Sequence, residues 1–302
     1  MKYAFFNGKI VPFKDAKVSI MTHAFNYGTA CFEGIRGYYN PKKKQLFILK
    51  LADHYERLLR SCKIVRIGMK YSVDELCDIT LKLAKKNNYH EDVYIRPLAY
   101  KSQEKIGLGL SGVDDDFCMF LSPFGKYLDT SKGINVCLST WRRIDDSSIP
   151  ARAKLTGSYI NSSLAKSEAV ENGYDEAIML SMDGHVSEGS GENIFMLRHG
   201  RLITPYLADN ILEGITRSNV IRIARDELGL EVEERSVDRS ELYVADEIFL
   251  CGTGAEIAPV LSVDKRKVGS GKIGKITKDI QKIYFSAVRG DIPAYTNWLT
   301  AV

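Results

Sequence analysis

Short strand-like runs punctuated by turn residues recur along nearly the whole chain, and this pattern constrains the fold more than any other feature. It opens with YAFFNGKIVPF, where two short runs flank an Asn-Gly pair, a strong local signal for a tight hairpin. DVYIRPLAY and DFCMFLS follow, then INVCLST, EAIMLS, NIFMLRHG and EIFLCG, with a Gly-Arg turn in HGRLIT. Helical periodicity appears between these groups. One helix is predicted from Leu51 to Val65, with Leu51, Tyr55, Leu58, Leu59 and Cys62 on one face, and a second from Val73 to Asn87, with Leu76, Ile79 and Leu83 inward. Others are predicted near 158–172, 215–228 and 274–289. Hairpins and separate helices without a regular β-α-β alternation predict an α+β fold with much antiparallel pairing.

At 302 residues, 45% of them hydrophobic, the chain exceeds what one core usually organises, so two lobes are expected. The turn-rich stretch PFGKYLDTSKG sets a linker at 123–132, between a small domain at 1–122 and a larger one at 133–302. The 42 basic and 38 acidic residues are intermixed, which argues against a nucleic-acid or membrane partner. The one basic run, Lys42-Lys43-Lys44, follows Asn-Pro and reads as a solvated loop tip. Six cysteines without a C-x-x-C pair, several inside apolar runs, read as buried free thiols of a reducing compartment. The N-terminus lacks a continuous apolar segment, so a cytoplasmic protein is expected.

Three motifs are set aside. GSGKIGKI satisfies G-x-x-x-x-G-K, but Ile276 stands where a Ser or Thr must hold magnesium. SLAK, at 163–166, falls inside a predicted helix and lacks the companion elements of penicillin-binding enzymes. The five histidines offer no pair at metal-ligand spacing and no Ser/His/Asp arrangement, so no metal is expected.

What remains is Lys154, lodged among Ala, Thr, Gly and Ser just after Pro150. VSEGSGENIF puts Glu188 and Glu192 in a glycine-rich turn where a carboxylate can approach a ligand. Gly214-Ile215-Thr216 begins an amphipathic helix whose first amides suit a phosphate, and LCGTGAEI supplies a second turn of that kind. Together these fit an aldehyde cofactor with a phosphate tail and a protonatable ring nitrogen.

The chain resembles the fold-type IV pyridoxal-phosphate enzymes, and most of all the branched-chain amino-acid aminotransferases, through HAFNYGTACFEGIRGY, DHYERLLRSCK, YIRPL, AKLTGSY, SEGSGENIF, LEGITR and GTGAEIAPV in that order. The resemblance implies a small N-terminal α/β lobe, a larger C-terminal lobe, pyridoxal 5′-phosphate as cofactor and a homodimer or higher homo-oligomer. It makes Lys154 the Schiff-base lysine, displaced by the substrate amine and then shuttling a proton between substrate Cα and cofactor C4′. Glu188 would face the pyridine nitrogen, with Glu192 the weaker candidate, and Tyr159 would bond the phenolic oxygen. Arg57, Ile215, Thr216 and Thr253 would hold the phosphate, although helical spacing alone predicts a solvated Arg57.

For the substrates, amino acids and 2-oxo acids, the resemblance gives Tyr94, Thr253 and Gly254 to the α-carboxylate. Arg96, or its neighbour Arg36, takes the second carboxylate of glutamate. Tyr27, Phe32 and Tyr127, with Leu108 and Leu110 from a partner subunit, would line the apolar pocket, though each could equally be core. Leu155-Thr156, Gly254, Asn26 and Phe124 depart from the family's usual residues. The expected activity is transfer of the amino group between L-branched-chain amino acids and 2-oxoglutarate. D-amino-acid transaminases, (R)-amine transaminases, aminodeoxychorismate lyases and a non-catalytic pyridoxal-phosphate-binding protein are the alternatives.

Overall fold

The Asn7-Gly8 pair forms the turn its sequence predicts. Both residues have positive φ, 50° and 75°, and Phe6 pairs with Lys9 across a two-residue loop joining strands β1 (Tyr3–Phe6) and β2 (Lys9–Pro12). Pro12 is tolerated because β2 is an edge strand. The computed structural model describes every residue except Lys126 and Tyr127. Its chain contacts divide into two units, Met1–Gly125 with Ala153–Ser158 and Ser286–Val302, and Lys126–Arg152 with Tyr159–Phe285.

The first unit continues with α1 (His23–Tyr27), β3 (Ala30–Phe32), β4 (Ile35–Asn40), β5 (Gln45–Leu49), α2 (Leu51–Ile64), α3 (Val73–Asn87), β6 (Val93–Lys101) and β7 (Asp115–Pro123). Their sheet is wholly antiparallel and is completed beside β5 by a C-terminal strand, Leu299–Ala301. β3 pairs with β6 on one side; on the other it receives the segment around Lys154. Phe32 N donates to the Lys154 carbonyl at 3.0 Å and Thr156 N to the Ala30 carbonyl at 2.9 Å, so Leu155 forms an isolated antiparallel bridge with Cys31.

The second unit holds β8 (Ile134–Leu138), α4 (Tyr159–Glu171), β9 (Glu176–Leu180), β10 (Val186–Gly189), β11 (Asn193–Arg198), β12 (Arg201–Thr204), α5 (Ile215–Asp226), β13 (Val232–Glu234), β14 (Glu247–Gly252), β15 (Glu256–Val263), β16 (Arg266–Lys267) and the start of α6 (Lys275–Val288). Its nine strands run in the order β10-β9-β8-β15-β14-β11-β12-β13, with β16 beside β15. Three pairs are parallel, β8 with β9, β8 with β15 and β12 with β13, and α4 makes the crossover between β8 and β9. Val136, Ile178, Ile194, Leu250 and Val260 form part of one core beneath this sheet.

The five helices and the named strands occur where the sequence predicts them, with differences that have physical reasons. Leu59 and Ile79 are only half-buried, because the inward face of α2 also carries His54, Arg57 and Ser61, and that of α3 carries Thr80. The turn before β12 is His199-Gly200, at φ 52° and 75°, and Arg201 already pairs with Arg198. Cys77 and Cys118 are half-buried while the other four thiols are buried, and none of the six is in a disulfide. The amides that GSGKIGKI would need for a phosphate are taken by Glu247, whose carboxylate accepts from Ile276 N at 3.0 Å and Thr277 N at 2.7 Å. Lys166 of SLAK pairs with Glu176 at 2.8 Å.

Candidate active site

In the first unit, Lys154 is held by its backbone while its amine lies over an aromatic ring. Its N–H donates to Ser61 Oγ of α2 at 3.2 Å, and its Nζ lies 5.0 Å from the centroid of the Phe32 ring. The Arg96 guanidinium lies 4.4 Å from the same centroid, and its Nη2 donates to the Tyr94 hydroxyl at 2.7 Å. The buried Arg96 Nε has no hydrogen-bond partner among the described residues. Gly34 makes this packing possible, since a Cβ there would lie 2.2 Å from the Tyr94 hydroxyl. Arg36 pairs across β4 and β6 with Tyr94, donates to the Gly125 carbonyl at 3.2 Å and lies over Phe124, whose ring is 5.1 Å from that of Tyr94.

The loop after Lys154 is fitted closely to the end of α1. Gly28 caps that helix at φ 65°, and a Cβ on it would come within 2.7 Å of Gly157 Cα. Thr156 explains itself here: its hydroxyl donates to the Gly28 carbonyl at 3.0 Å. Tyr27 accepts from Gly107 N at 3.1 Å and packs on His23, so among the described contacts it supports the 103–110 loop. Tyr127 lies outside the described residues.

Arg57 is not solvated. Its Nε and Nη2 each lie 2.7 Å from the two oxygens of Glu33, which is fully buried and also accepts from His54 Nδ1 at 2.8 Å. The spacing rule fails because His54, Arg57 and Ser61, at i, i+3 and i+7, form a buried polar stripe beside the apolar one. Burial alone would raise the Glu33 pKa, but the Arg57 charge and the bonds from Arg57 and His54 hold it well below the usual carboxylate range. Burial lowers the His54 pKa despite Glu33, so His54 is neutral and donates through Nδ1.

In the second unit three loops converge. Glu188 Oε1 lies 2.9 Å from Arg143 Nη2, and Oε2 accepts from Asn193 Nδ2 at 3.0 Å and Leu212 N at 3.1 Å. Asn193 sits against Gly214, where a Cβ would lie 1.9 Å from its Oδ1, so the same amide ties Glu188 to the start of α5. Gly214 is the N-cap of α5 and offers no side-chain bond to the amides of Ile215 and Thr216. The Thr253-Gly254 turn follows Gly252, which abuts Gly191 and Glu192. Glu192 folds back onto Gly191 N at 3.0 Å; burial, then the nearby Glu176, pushes its pKa up to about 8. Tyr159 is half-buried at the first turn of α4.

The amino-transferase class IV family model matches residues 30–263. The chain belongs to the class IV aminotransferases. It is 54% identical to a probable branched-chain-amino-acid aminotransferase of Aquifex aeolicus, over 100% of this chain and 97% of that one. Among solved structures it is similar to the branched-chain aminotransferase of Thermoproteus uzoniensis with norvaline, at TM-score 0.95 and 44% identity over 99% of this chain and 98% of that one. The branched-chain amino acid aminotransferase of Thermobaculum terrenum in its PLP form matches at TM-score 0.95 and 43% identity over the same shares. The fold is therefore that of the fold-type IV enzymes.

For a class IV aminotransferase the sequence reading left out Glu33, His54, Ser61, Arg143 and Asn193. Glu33 lies inside the quoted CFEGIRGY motif, and His54 and Ser61 share the helical face of Arg57. Nothing local points to Arg143, which lies 45 residues before its partner Glu188. Among the described residues no group of three or more His, Cys, Asp or Glu is placed to hold a metal, and no helix is long and apolar enough to cross a membrane.

Proposed function

We propose that this class IV aminotransferase moves the amino group between L-leucine, L-isoleucine or L-valine and 2-oxoglutarate in a ping-pong cycle that uses pyridoxal 5′-phosphate. The observation that carries the reading is the Phe32 ring, with the Lys154 amine at 5.0 Å and the Arg96 guanidinium at 4.4 Å from its centroid. A proton-transferring amine and a carboxylate-binding group thus both lie over one ring. The unsatisfied Arg96 Nε suits a substrate carboxylate.

Unit by unit, the donors suit the cofactor: the first unit carries the Lys154 amine, and the second a buried carboxylate at Glu188 and a helix start without a side-chain cap at Gly214. When bound, pyridoxal phosphate supplies an electron sink for the carbanion at the substrate Cα. Lys154 Nζ would hold the cofactor covalently and is the amine that would take and return the Cα proton. Glu188 keeps a proton on the ring nitrogen, and Tyr159 donates to the phenolic oxygen. The Ile215 and Thr216 amides and Thr253 would hold the phosphate, a role the same reading also gives to Arg57.

Tyr94, Thr253 and Gly254 take the α-carboxylate in this reading, and Arg96, with Arg36 beside it, the distal carboxylate of glutamate. Tyr27 and Phe32 line the side-chain pocket in this reading, with Leu108 of a second copy, while Tyr127, also expected there, lies outside the described residues. A homodimer is supported by Ile20, Phe25 and Leu108, which are 80%, 70% and 80% exposed on segments joined by a Thr22–Glu104 bridge. A cytoplasmic location agrees with six free thiols. Division of the chain into domains at 1–122 and 133–302 with a linker at 123–132 is part of the same proposal, although chain contacts group 153–158 and 286–302 with the first unit.

Titrating the visible band of the reconstituted protein tests the function. L-leucine should bleach it at micromolar to millimolar concentrations. Bleaching by D-alanine or (R)-1-phenylethylamine in preference to L-leucine assigns the chain to another branch, and a band that no amine bleaches identifies a non-catalytic binder.

A further inference from the structure

The carboxylate at Glu188 comes with a permanent cation. Arg143 and Glu188 side chains are 12% and 7% exposed, so the pair at 2.9 Å is largely out of water. Arg143 is itself fixed: its backbone N donates to the Leu180 carbonyl at 2.8 Å and its Nε to the Asn210 carbonyl at 3.4 Å. Asn210 holds φ 58° and donates to Asp145 at 3.2 Å. This much anchoring exceeds what charge neutralisation requires, and no role described above accounts for it.

We propose that Arg143 is a positioning residue that holds the proton shared by Glu188 and the cofactor's ring nitrogen on the nitrogen. The inference rests on the reading of Glu188 given above. When a ring nitrogen faces a carboxylate, one proton can sit on either atom, and only the protonated ring withdraws electrons strongly. Burial makes a carboxylate a better base and draws the proton to oxygen. A guanidinium at 2.9 Å and two N–H donors act the other way, stabilising the anion. Arginine suits the task because it cannot itself take part in the proton exchange, as a buried lysine could.

Among the described residues, Glu192, Cys251 and Lys166 do not replace Arg143, and Arg217 is paired with Glu234 at 2.8 Å. Glu192 is protonated near neutral pH and contributes no positive charge. Burial pushes the Cys251 thiol up, so it stays neutral too. Lys166 is engaged by Glu176.

The test uses holoenzyme reconstituted with ring-¹⁵N pyridoxal phosphate and reads the nitrogen's chemical shift at pH 7.5. In the wild type the shift should be that of a protonated pyridine. In Arg143→Met and Arg143→Gln it should move toward the unprotonated value, and in Arg143→Lys, which restores a charge, it should return most of the way. Should Arg143→Met not fold, Arg143→Gln, which keeps a hydrogen-bond donor, decides alone. The turnover of L-leucine in the neutral variants should fall about tenfold or more with KM nearly unchanged. A wild-type shift in a neutral variant overturns the proposal, because a merely structural arginine would change stability without moving the proton. The underlying reading fails separately if the wild type gives no protonated ring signal or if Glu188→Gln leaves that signal unaltered.

Discussion

Replacing Glu33 by leucine should be among the most damaging single changes to the first unit. The carboxylate is fully buried and the Arg57 side chain is 5% exposed, with two bonds of 2.7 Å joining them. Removing one partner of such a pair leaves an uncompensated buried charge, which costs about 3–5 kcal/mol. Removing both restores an apolar contact, so Glu33→Leu combined with Arg57→Met should recover most of that loss. Recovery will be incomplete because His54 Nδ1 loses its acceptor, an orphaned donor worth about 1–3 kcal/mol. Urea unfolding of the cofactor-free protein at pH 7.5 measures these differences without a contribution from bound ligand. A single-variant loss below about 1 kcal/mol, or a double variant less stable than Glu33→Leu, refutes the account of this cluster.

The same cluster should set part of the acid response. The lowered His54 pKa means the unfolded chain binds its proton first, so this contribution is complete above about pH 6.5 and declines below it. Glu33, also lowered, adds a further loss below about pH 4.5; urea midpoints of wild type and His54→Gln from pH 8 to 5 should therefore converge as pH falls. Glu192 has the opposite sign: its raised pKa of about 8 makes the fold hold the proton more tightly, so stability declines as pH rises from about 4.5 toward 8. Glu192→Gln should accordingly gain on wild type at pH 9 and not at pH 5, and an equal offset at both removes the cause. Leucine carries three more carbons than alanine, so a fitted pocket at about 0.8 kcal/mol each should favour it by roughly fifty-fold in kcat/KM. Arg96→Ala should reduce kcat/KM for glutamate far more than for leucine; equal losses in half-reaction kinetics would assign Arg96 to the α-carboxylate or to structure.

What the sequence revealed follows the range of the interactions involved. α3 was legible to its ends because its cap is local: Ser72 and Glu75 bond one another's backbone and side chain across one turn. The Asn7-Gly8 hairpin and the crossover helix α4 are likewise set by neighbours. Arg57 was misread from spacing because its partner, Glu33, lies 24 residues away on another element. Strands β3 and β4 carry no clean alternation, since β3 is buried throughout and in β4 all but Tyr39 are buried, and this erases the period of two. The place of Lys154 depends on pairing with β3 more than a hundred residues earlier, which only motif resemblance could suggest. Arg143 had neither a local pattern nor a motif to reveal it.

The most direct test of the central claim is to find which lysine carries the cofactor. The holoenzyme is reduced with borohydride, digested and mapped by mass spectrometry for the phosphopyridoxyl mass. The account predicts a single labelled peptide containing Lys154, and no labelled peptide after full conversion by L-leucine before reduction. Stoichiometric label on another lysine, such as Lys166, or label on Lys154 that L-leucine does not remove, would contradict it.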